Sequence, residues 1–207
     1  MRLGIFGGSF DPVHYGHLLL AESCREERRL DQIWFMPAAV PPHKRPGAVG
    51  SAAQRVEMLR LATGGNEAFL VSTIEIDRGG VSYTVDTLEA IRREQPEAEL
   101  FFLMGADSLA DLPTWRDPAR ICELASPIVV GRAGAAPPDN SVLAPLIAVD
   151  RLEAIRRLRV EMPAIDLRAS DLRRRVATGL SIRYRTPRAV EKYIEAQALY
   201  RGSSDAK

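Results

Sequence analysis

The sequence predicts an α/β fold in which a parallel β-sheet is covered by helices on both faces. Short apolar runs typical of buried strands alternate along the chain with segments that have apolar residues at helical spacing. Strands that alternate with helices favour parallel pairing, because each connecting helix packs on one face of the sheet. The chain has 207 residues, of which 46% are hydrophobic, and this is enough for a sizeable core. We therefore expect a Rossmann-like, doubly wound parallel sheet with a small helical C-terminal part.

The individual elements follow from periodicity and from the residues that start or stop helices and strands. Apolar runs that end in glycine, proline or polar residues predict strands at 2–6, 32–37, 69–76, 99–105 and 126–132. Helical spacing of apolar residues predicts helices over 17–30, 51–63 and 84–96. Ser51 is the expected N-cap of the second helix, and the first helix is expected to begin near Tyr15 or Gly16. These elements predict a single domain over residues 1–202 and a frayed tail at 203–207.

Composition and charge argue against several classes of protein. The 28 Lys and Arg residues nearly balance the 27 Asp and Glu residues, so the net charge is +1 and no nucleic-acid partner is expected. No stretch is long and apolar enough to predict a membrane span or a secretory signal. Cys24 and Cys122 stand far apart and predict two buried thiols rather than a disulfide framework. We expect a cytoplasmic protein without membrane partners.

The loop after the first predicted strand carries the first candidate binding residues. Gly7, Gly8, Ser9 and Phe10 stand where backbone N–H groups beside glycine can approach a phosphate closely. The loop has neither the G-x-G-x-x-G pattern of dinucleotide-binding folds nor the G-K-[ST] ending of a P-loop. A tight turn that needs glycine for its backbone angles explains the pair equally well, so these residues alone decide nothing.

Two of the chain's three histidines follow in the segment HYGH, residues 14–17. If a helix begins near Tyr15, His14 precedes it and His17 lies in its first turn. Unpaired backbone N–H groups and the helix dipole favour an anion there. Gly16 lacks the side chain that would block the approach of a ligand, and we expect both imidazoles to bind phosphate. A metal site is the competing interpretation, but no third ligand has a convincing spacing, and we predict no metal held by the protein.

Five segments of the chain are similar to motifs of known nucleotidyltransferases. Residues 7–17, GGSFDPVHYGH, resemble the signature of that superfamily, whose core is H-x-G-H. The others resemble elements of the bacterial nicotinate-nucleotide adenylyltransferases: PAAVPPHK at 37–44, SYTVDTL at 82–88, MGADSLADLPTWRDP at 104–118 and SIRYRTPRAVEKYI at 181–194. Because all five stand in the same order and span nearly the whole chain, the chain is identified as a member of that family.

The resemblance implies a reaction and its substrates. The family transfers AMP from ATP to nicotinate mononucleotide, which gives nicotinate adenine dinucleotide and pyrophosphate in NAD biosynthesis. Such a transfer needs in-line positioning and positive charge on the departing pyrophosphate. It needs no general base, because the attacking phosphate is already an anion. Mg²⁺ is expected to be carried in with ATP and to keep waters and phosphates as its ligands. A homo-oligomer is compatible with these expectations.

The resemblance also assigns roles to residues beyond the first loop. His43 and Lys44, which follow two rigid prolines, would contact phosphate in the closed complex, with Lys44 as a catalytic residue. Trp115 would stack on the pyridine ring of the mononucleotide. Thr84, at a predicted helix start, would present N–H groups to the ring carboxylate. A core tryptophan and an N-cap threonine are the alternative interpretations of these two residues.

Gly7, Gly8, Ser9 and Phe10 are expected to bind ATP, and the remaining candidates serve ATP as well. Gly105 and Asp107 follow a buried strand, where the carboxylate would accept hydrogen bonds from the ribose or cap a short helix. Ser170 and Arg173 would contact the β- and γ-phosphates from the start of a basic helix, with Arg173 as a catalytic residue. The family pattern Ser-Ser-Thr-x-x-Arg is only partly kept, because Arg168 and an alanine precede Ser170. Arg168 either substitutes for a lost hydroxyl or gates the site.

Two other functions fit parts of the pattern. The same chemistry on another acceptor, such as phosphopantetheine, or cytidylyl transfer to a polyol phosphate would use the same histidines, although Trp115 and SYTVDT argue against both. A nucleotide-binding module without catalysis would keep the fold, although intact His14, His17 and Lys44 argue against degeneration. The choice between nicotinate and nicotinamide mononucleotides is not visible in side-chain identity, because a single backbone N–H can discriminate the two.

Overall fold

Six parallel strands form the central sheet of the computed structural model, which describes residues 1–40, 50–134 and 136–201. The strands are β1 (Arg2–Gly8), β2 (Gln32–Pro37), β3 (Phe69–Val71), β4 (Glu99–Gly105), β5 (Ser126–Arg132) and β6 (Val160–Met162). Their order across the sheet is β3-β2-β1-β4-β5-β6, and each neighbouring pair is parallel. The strand order therefore reverses between β1 and β4, as in Rossmann-like folds. The predicted fold class is confirmed.

Helices cover both faces of this sheet. They are α1 (Tyr15–Arg28), α2 (Ala52–Thr63), α3 (Ile74–Arg78), α4 (Thr84–Glu94), α5 (Ala106–Asp111), α6 (Pro118–Leu124), α7 (Val149–Arg156), α8 (Ala169–Ala177) and α9 (Arg188–Ala196). One core cluster joins α4, α6 and α7 to the sheet, and the other joins α1, α2, α8 and α9 to it. Along β4, Leu100 and Phe102 belong to the first cluster and Phe101 and Leu103 to the second. This alternation places the two clusters on opposite faces.

Most predicted boundaries agree with the structure. The strands β2, β4 and β5 match their predicted ranges, and β1 continues past the predicted end to Gly8. The first helix begins at Tyr15, and the fourth begins at Thr84. Ser51 caps α2 by accepting a hydrogen bond from the backbone N–H of Gln54 at 3.2 Å. The residues that stop and start elements therefore act as their chemistry predicts.

The prediction of one strand over 69–76 is wrong in its second half. The strand β3 ends at Val71, and the remaining residues enter the short helix α3. Alternating isoleucines in this stretch imitate a strand, but the intervening Glu75 is buried and accepts a hydrogen bond from Thr87 Oγ1 at 2.7 Å. The ladder of the edge strand β3 stops at Val71, opposite Phe35, although β2 continues to Pro37.

The structure tests the predictions that both cysteines are buried thiols and that no segment spans a membrane. Both Cys24 and Cys122 are buried and free, as predicted. Burial raises the pKa of the Cys24 thiol to about 12 and that of the Cys122 thiol to about 11, so both are protonated at neutral pH. In the described ranges, no helix combines the length and the apolar character that crossing a membrane requires.

Candidate active site

The carboxyl ends of β1 and β4 lie side by side where the strand order reverses. Ligands of open parallel sheets bind at such a point. Described residues form two cavities here, one of about 500 Å³ and one of about 540 Å³, and Ser9 lines both. We name the first the histidine cavity, which is lined among others by His14, His17, Gly105, Asp107 and Arg168. The second is the tryptophan cavity, which is lined among others by Gly7, Gly8, Thr84, Ser108 and Trp115.

The two histidines occupy the positions that the sequence predicts. His14 is the N-cap residue of α1, and His17 lies in its first turn. Their rings are stacked, with centroids 3.7 Å apart and planes inclined by 20°. The backbone N–H of His14 donates to His17 Nδ1 at 3.2 Å, so the proton of neutral His17 lies on Nε2. Both rings line one cavity at a helix N-terminus, and such a helix end favours an anion such as phosphate.

The His14 ring is buried in the described structure. Burial lowers its pKa from 6.5 to about 4, against the opposing effect of a backbone hydrogen bond. Its Nδ1 is buried and has no hydrogen-bond partner among the described residues. The ring is therefore neutral at neutral pH, and an arriving triphosphate would raise its pKa by adding negative charge nearby.

The buried neutral ring predicts a pH-dependent loss of stability. Between pH 6.5 and about 4 the unfolded chain binds a proton at His14 that the folded chain does not, so stability falls as pH falls through this window. Between pH 7 and pH 4.5, the free energy of unfolding should therefore decrease by about 2 kcal/mol more in the wild type than in His14→Asn. Urea unfolding of both proteins at the two pH values measures the difference, and equal decreases would contradict the burial of a neutral His14.

Gly16 makes room for the His14 ring. A Cβ at this position would lie 3.1 Å from Cε1 and Nδ1 of His14 and 3.7 Å from Cβ of Leu167. Gly16→Ala should therefore displace the ring and lower kcat/KM by about 10-fold. Thermal unfolding should stay unchanged or rise, because alanine is the better helix former. Steady-state kinetics measures the effect on activity, and a melting curve measures the effect on stability. Unchanged kcat/KM in Gly16→Ala would show that activity does not depend on the position of the His14 ring.

The loop after β1 is tightly folded. Phe10 has a left-handed backbone, with φ of 47°, and its buried ring meets the His17 ring edge-on at a centroid distance of 5.1 Å. A Cβ on Gly8 would lie 3.0 Å from the Phe10 ring, so glycine permits this close approach. Gly7 and Gly8 line the tryptophan cavity, whereas Phe10 lines the histidine cavity. Both glycines were expected to approach the phosphates of ATP, and that contact stays a prediction.

The tryptophan cavity brings together the two residues predicted for the pyridine ring. Trp115 is half-buried, and its ring packs edge-on against Phe102 at a centroid distance of 6.0 Å. Thr84 is the first residue of α4, and Tyr83 rather than Thr84 occupies the N-cap position. The first N–H groups of a helix have no partner within it, so this end of α4 can bind a carboxylate. Trp115 thus contacts the core and lines the cavity at once.

The short helix α5 separates the cavities. Gly105 is its N-cap residue and lines the histidine cavity together with the exposed Asp107. The next residue, Ser108, lines the tryptophan cavity. The Asp107 carboxylate therefore lies at the end of β4, on the side expected to bind adenosine.

The start of α8 differs from the prediction. Arg168, its N-cap residue, lines the histidine cavity, whereas Ser170 and Arg173 are not among the described residues that line either cavity. Arg173 Nη1 instead donates to the backbone carbonyl of Asp11 at 2.6 Å and lies 3.6 Å from its Oδ2. The predicted phosphate contacts of His43 and Lys44 lie outside the described residues.

The sequence does not indicate an active-site role for a buried polar cluster around Asp11, in the loop before His14. Asp11 is 1% exposed, and its Oδ1 accepts hydrogen bonds from the N–H of Gly50 at 2.9 Å and from the hydroxyl of Tyr200 at 2.5 Å. Burial, together with the hydrogen bond to Asp11, raises the pKa of Tyr200 well above its usual range, so the phenol stays protonated. Arg55, also buried, donates to the carbonyl of Ser9 at 3.0 Å.

No group of three or more His, Cys, Asp or Glu side chains in the described part of the chain is arranged to hold a metal ion.

The comparisons with known proteins agree with one another. Residues 5–175 match the model of the cytidylyltransferase-like family. A protein from Thermomicrobium roseum, named probable nicotinate-nucleotide adenylyltransferase, is 48% identical over 97% of this chain and 92% of its own length. A protein of the same name from Thermus thermophilus is 45% identical over 97% of this chain and 100% of its own length. The chain belongs to the nicotinate-nucleotide adenylyltransferase family.

Solved structures show the same fold. A nicotinic acid mononucleotide adenylyltransferase from Plasmodium falciparum, complexed with NaAD, has a TM-score of 0.73 and covers 96% of this chain and 97% of that chain at 15% identity. A putative nicotinate-nucleotide adenylyltransferase from Vibrio parahaemolyticus has a TM-score of 0.69 at 18% identity, with 97% of this chain and 96% of that chain covered. The predicted family is confirmed, and as a nicotinate-nucleotide adenylyltransferase the chain is a nucleotidyltransferase enzyme.

Proposed function

We propose that this enzyme transfers the adenylyl group of ATP to nicotinate mononucleotide and releases pyrophosphate. The main observation in support of the proposal is that two cavities meet at Ser9. One cavity holds two stacked imidazoles at a helix N-terminus, and the other holds an indole beside a second helix N-terminus. A reaction that joins a nucleoside triphosphate to a flat aromatic mononucleotide needs two such neighbouring compartments. The names of the relatives support the same reaction.

The proposed chemistry is a direct displacement at the α-phosphorus. A phosphate oxygen of the mononucleotide forms a new bond to the α-phosphorus. The bond from the α-phosphorus to the oxygen that bridges to the β-phosphorus breaks, and its electron pair leaves with pyrophosphate. The mononucleotide phosphate needs no deprotonation, so the enzyme's task is alignment and neutralisation of the departing charge. His17 Nε2–H and the His14 ring are the groups assigned to that charge, with Lys44 as a further cation.

The remaining residues of the histidine cavity serve ATP in this proposal. Asp107 accepts hydrogen bonds from the ribose, and Ser9 lies where the two substrates meet. Magnesium bound to ATP would add positive charge beside the phosphates. Ser170 acts from the first turn of α8, whose N-terminus adjoins the histidine cavity through Arg168. Arg173 contacts the carbonyl of Asp11, so its more direct role in this proposal is to hold the loop before α1 in place rather than to contact phosphate.

The tryptophan cavity binds the mononucleotide in this proposal. The Trp115 ring stacks on the electron-poor pyridine, and N–H groups at the start of α4 bind the ring carboxylate. Gly7 and Gly8 line this cavity without side chains of their own, and we assign this side to the mononucleotide phosphate, which would approach the junction at Ser9. His43 is proposed to contact that phosphate.

Pyrophosphate release with a panel of substrates tests the function. ATP should support turnover with nicotinate mononucleotide, and a parallel measurement with nicotinamide mononucleotide determines the acid or amide preference. Phosphopantetheine with ATP, and a polyol phosphate with CTP, should release no pyrophosphate above background. Binding of ATP without turnover on any acceptor would identify a non-catalytic nucleotide-binding module and contradict the proposal.

A further inference from the structure

Three segments of the C-terminal part contact the histidine loop, which we define as residues 9–14 between β1 and α1. Arg173 of α8 donates to the carbonyl of Asp11. Thr186, just before α9, donates to the carbonyl of Val13 near the end of the loop, beside His14. Tyr200, which follows α9, donates to the Asp11 carboxylate. The loop that carries the proposed phosphate ligand is therefore held by residues that follow it by more than 150 positions, since Arg173 is 162 residues from Asp11.

The contacts beside His14 are the most specific of these. Thr186 is 1% exposed, and its hydroxyl donates to the carbonyl of Val13 at 2.7 Å. The neighbouring carbonyl of Arg185 accepts a hydrogen bond from the N–H of Tyr15 at 3.1 Å. Val13 and Tyr15 are the chain neighbours of His14, so the backbone is fixed immediately before and after the histidine.

We propose that Thr186 is a positioning residue for His14, acting through the carbonyl of Val13 to set the orientation of the His14 ring in the histidine cavity. The inference rests on the proposed function, because it assigns Thr186 a part in the same transfer. Thr186 is not among the described residues that line the histidine cavity or the tryptophan cavity. We therefore assign it no direct contact with a substrate.

The environment of the ring explains why the backbone matters. His14 Nδ1 has no hydrogen-bond partner in the described part of the chain, so no side chain holds that nitrogen in place. The ring is instead limited by its capping contact with the backbone of His17, by stacking on the His17 ring and by the space left at Gly16. Rotation of the peptide group between residues 13 and 14 would swing the ring directly. A small displacement of a group that contacts a reacting phosphate lowers the rate steeply.

The first test compares three variants. Thr186→Val keeps the shape of the side chain and removes the hydroxyl, whereas Thr186→Ser keeps the hydroxyl. Thr63→Val is the matched control, because Thr63 is also buried and its hydroxyl donates to a backbone carbonyl, that of Leu59, at 3.0 Å. We expect kcat to fall about 10-fold in Thr186→Val, with KM for nicotinate mononucleotide changed by less than about twofold. Thr186→Ser and Thr63→Val should keep kcat within about twofold of the wild type.

The second test asks whether Thr186 acts through His14. In a His14→Ala background, the additional change Thr186→Val should have little effect on kcat, because the ring that Thr186 positions is gone. Unchanged kcat in folded Thr186→Val, equal losses in Thr186→Ser, or the same loss with and without His14 would each overturn the proposal.

A third readout does not depend on turnover. In ring-proton NMR titrations, the pKa of His14 should rise from about 4 in the wild type toward 6.5 in Thr186→Val, because a released ring becomes more hydrated. Thr63→Val should leave it unchanged. A His14 pKa that does not move in Thr186→Val would overturn the proposal. This readout needs no turnover, so it still applies if the wild type releases no pyrophosphate. Absence of pyrophosphate release would contradict the proposed function and not the positioning role of Thr186.

Discussion

His17→Ala should lower kcat/KM for ATP by about 100-fold or more, equivalent to about 3 kcal/mol of transition-state stabilisation, while the fold survives. The His14 N–H donates to Nδ1, and Nε2–H is therefore the ring donor that we assign to a phosphate oxygen in the histidine cavity. A donor aimed at developing charge in a partly buried site contributes far more than one in water. Steady-state pyrophosphate release with saturating nicotinate mononucleotide measures the loss.

The control for His17 keeps a hydrogen-bond donor. His17→Gln retains an N–H group of similar reach and should lose less kcat/KM than His17→Ala. Both variants should unfold close to the wild-type temperature, because His17 is only half-buried. Equal turnover in His17→Ala and the wild type would remove this histidine from the mechanism.

Trp115→Ala should raise KM for nicotinate mononucleotide by about 10- to 100-fold, because stacking on a flat heterocycle contributes about 1–3 kcal/mol. KM for ATP should change by less than about twofold, because Trp115 lines the tryptophan cavity and not the histidine cavity. Initial rates at varied concentrations of each substrate separate the two constants.

A second tryptophan provides the control. Trp34 on β2 packs against the same core cluster as Trp115 and lines neither cavity among the described residues. Trp34→Ala should therefore lower stability without changing KM for the mononucleotide, and Trp115→Phe should give an intermediate KM because a flat ring remains. A rise in KM for ATP as large as that for the mononucleotide would contradict the division into two compartments.

Local chemistry explains which parts of the fold could be predicted. The ends of β2 and β4 follow from a proline and a glycine after apolar runs, and the position of His14 before a helix follows from the segment HYGH. The strand β6 could not be predicted, because three residues are too short to show a period. The helix α3 was missed because its isoleucines alternate as in a strand.

Long-range contacts explain what the sequence could not reveal about the site. No pattern near Arg173 or Thr186 indicates that either contacts the histidine loop, since their partners precede them by 162 and 173 residues. The assignment of Gly7 and Gly8 to the tryptophan cavity depends on where Phe10 turns the chain. The roles of individual residues at this edge of the sheet therefore require the three-dimensional structure, whereas the location of the site at the carboxyl ends of the strands does not.

The most direct test of the account varies the leaving group. ATP analogues whose β,γ-bridging oxygen is replaced by CH₂, CHF or CF₂ release bisphosphonates of increasing acidity, and single-turnover rates give the dependence of the chemical step on that acidity. If His17 neutralises charge on the departing pyrophosphate, the dependence should be steeper in His17→Ala than in the wild type, because the variant relies more on the leaving group's own stability. Parallel dependences in the two enzymes would show that the histidine does not act on the leaving group.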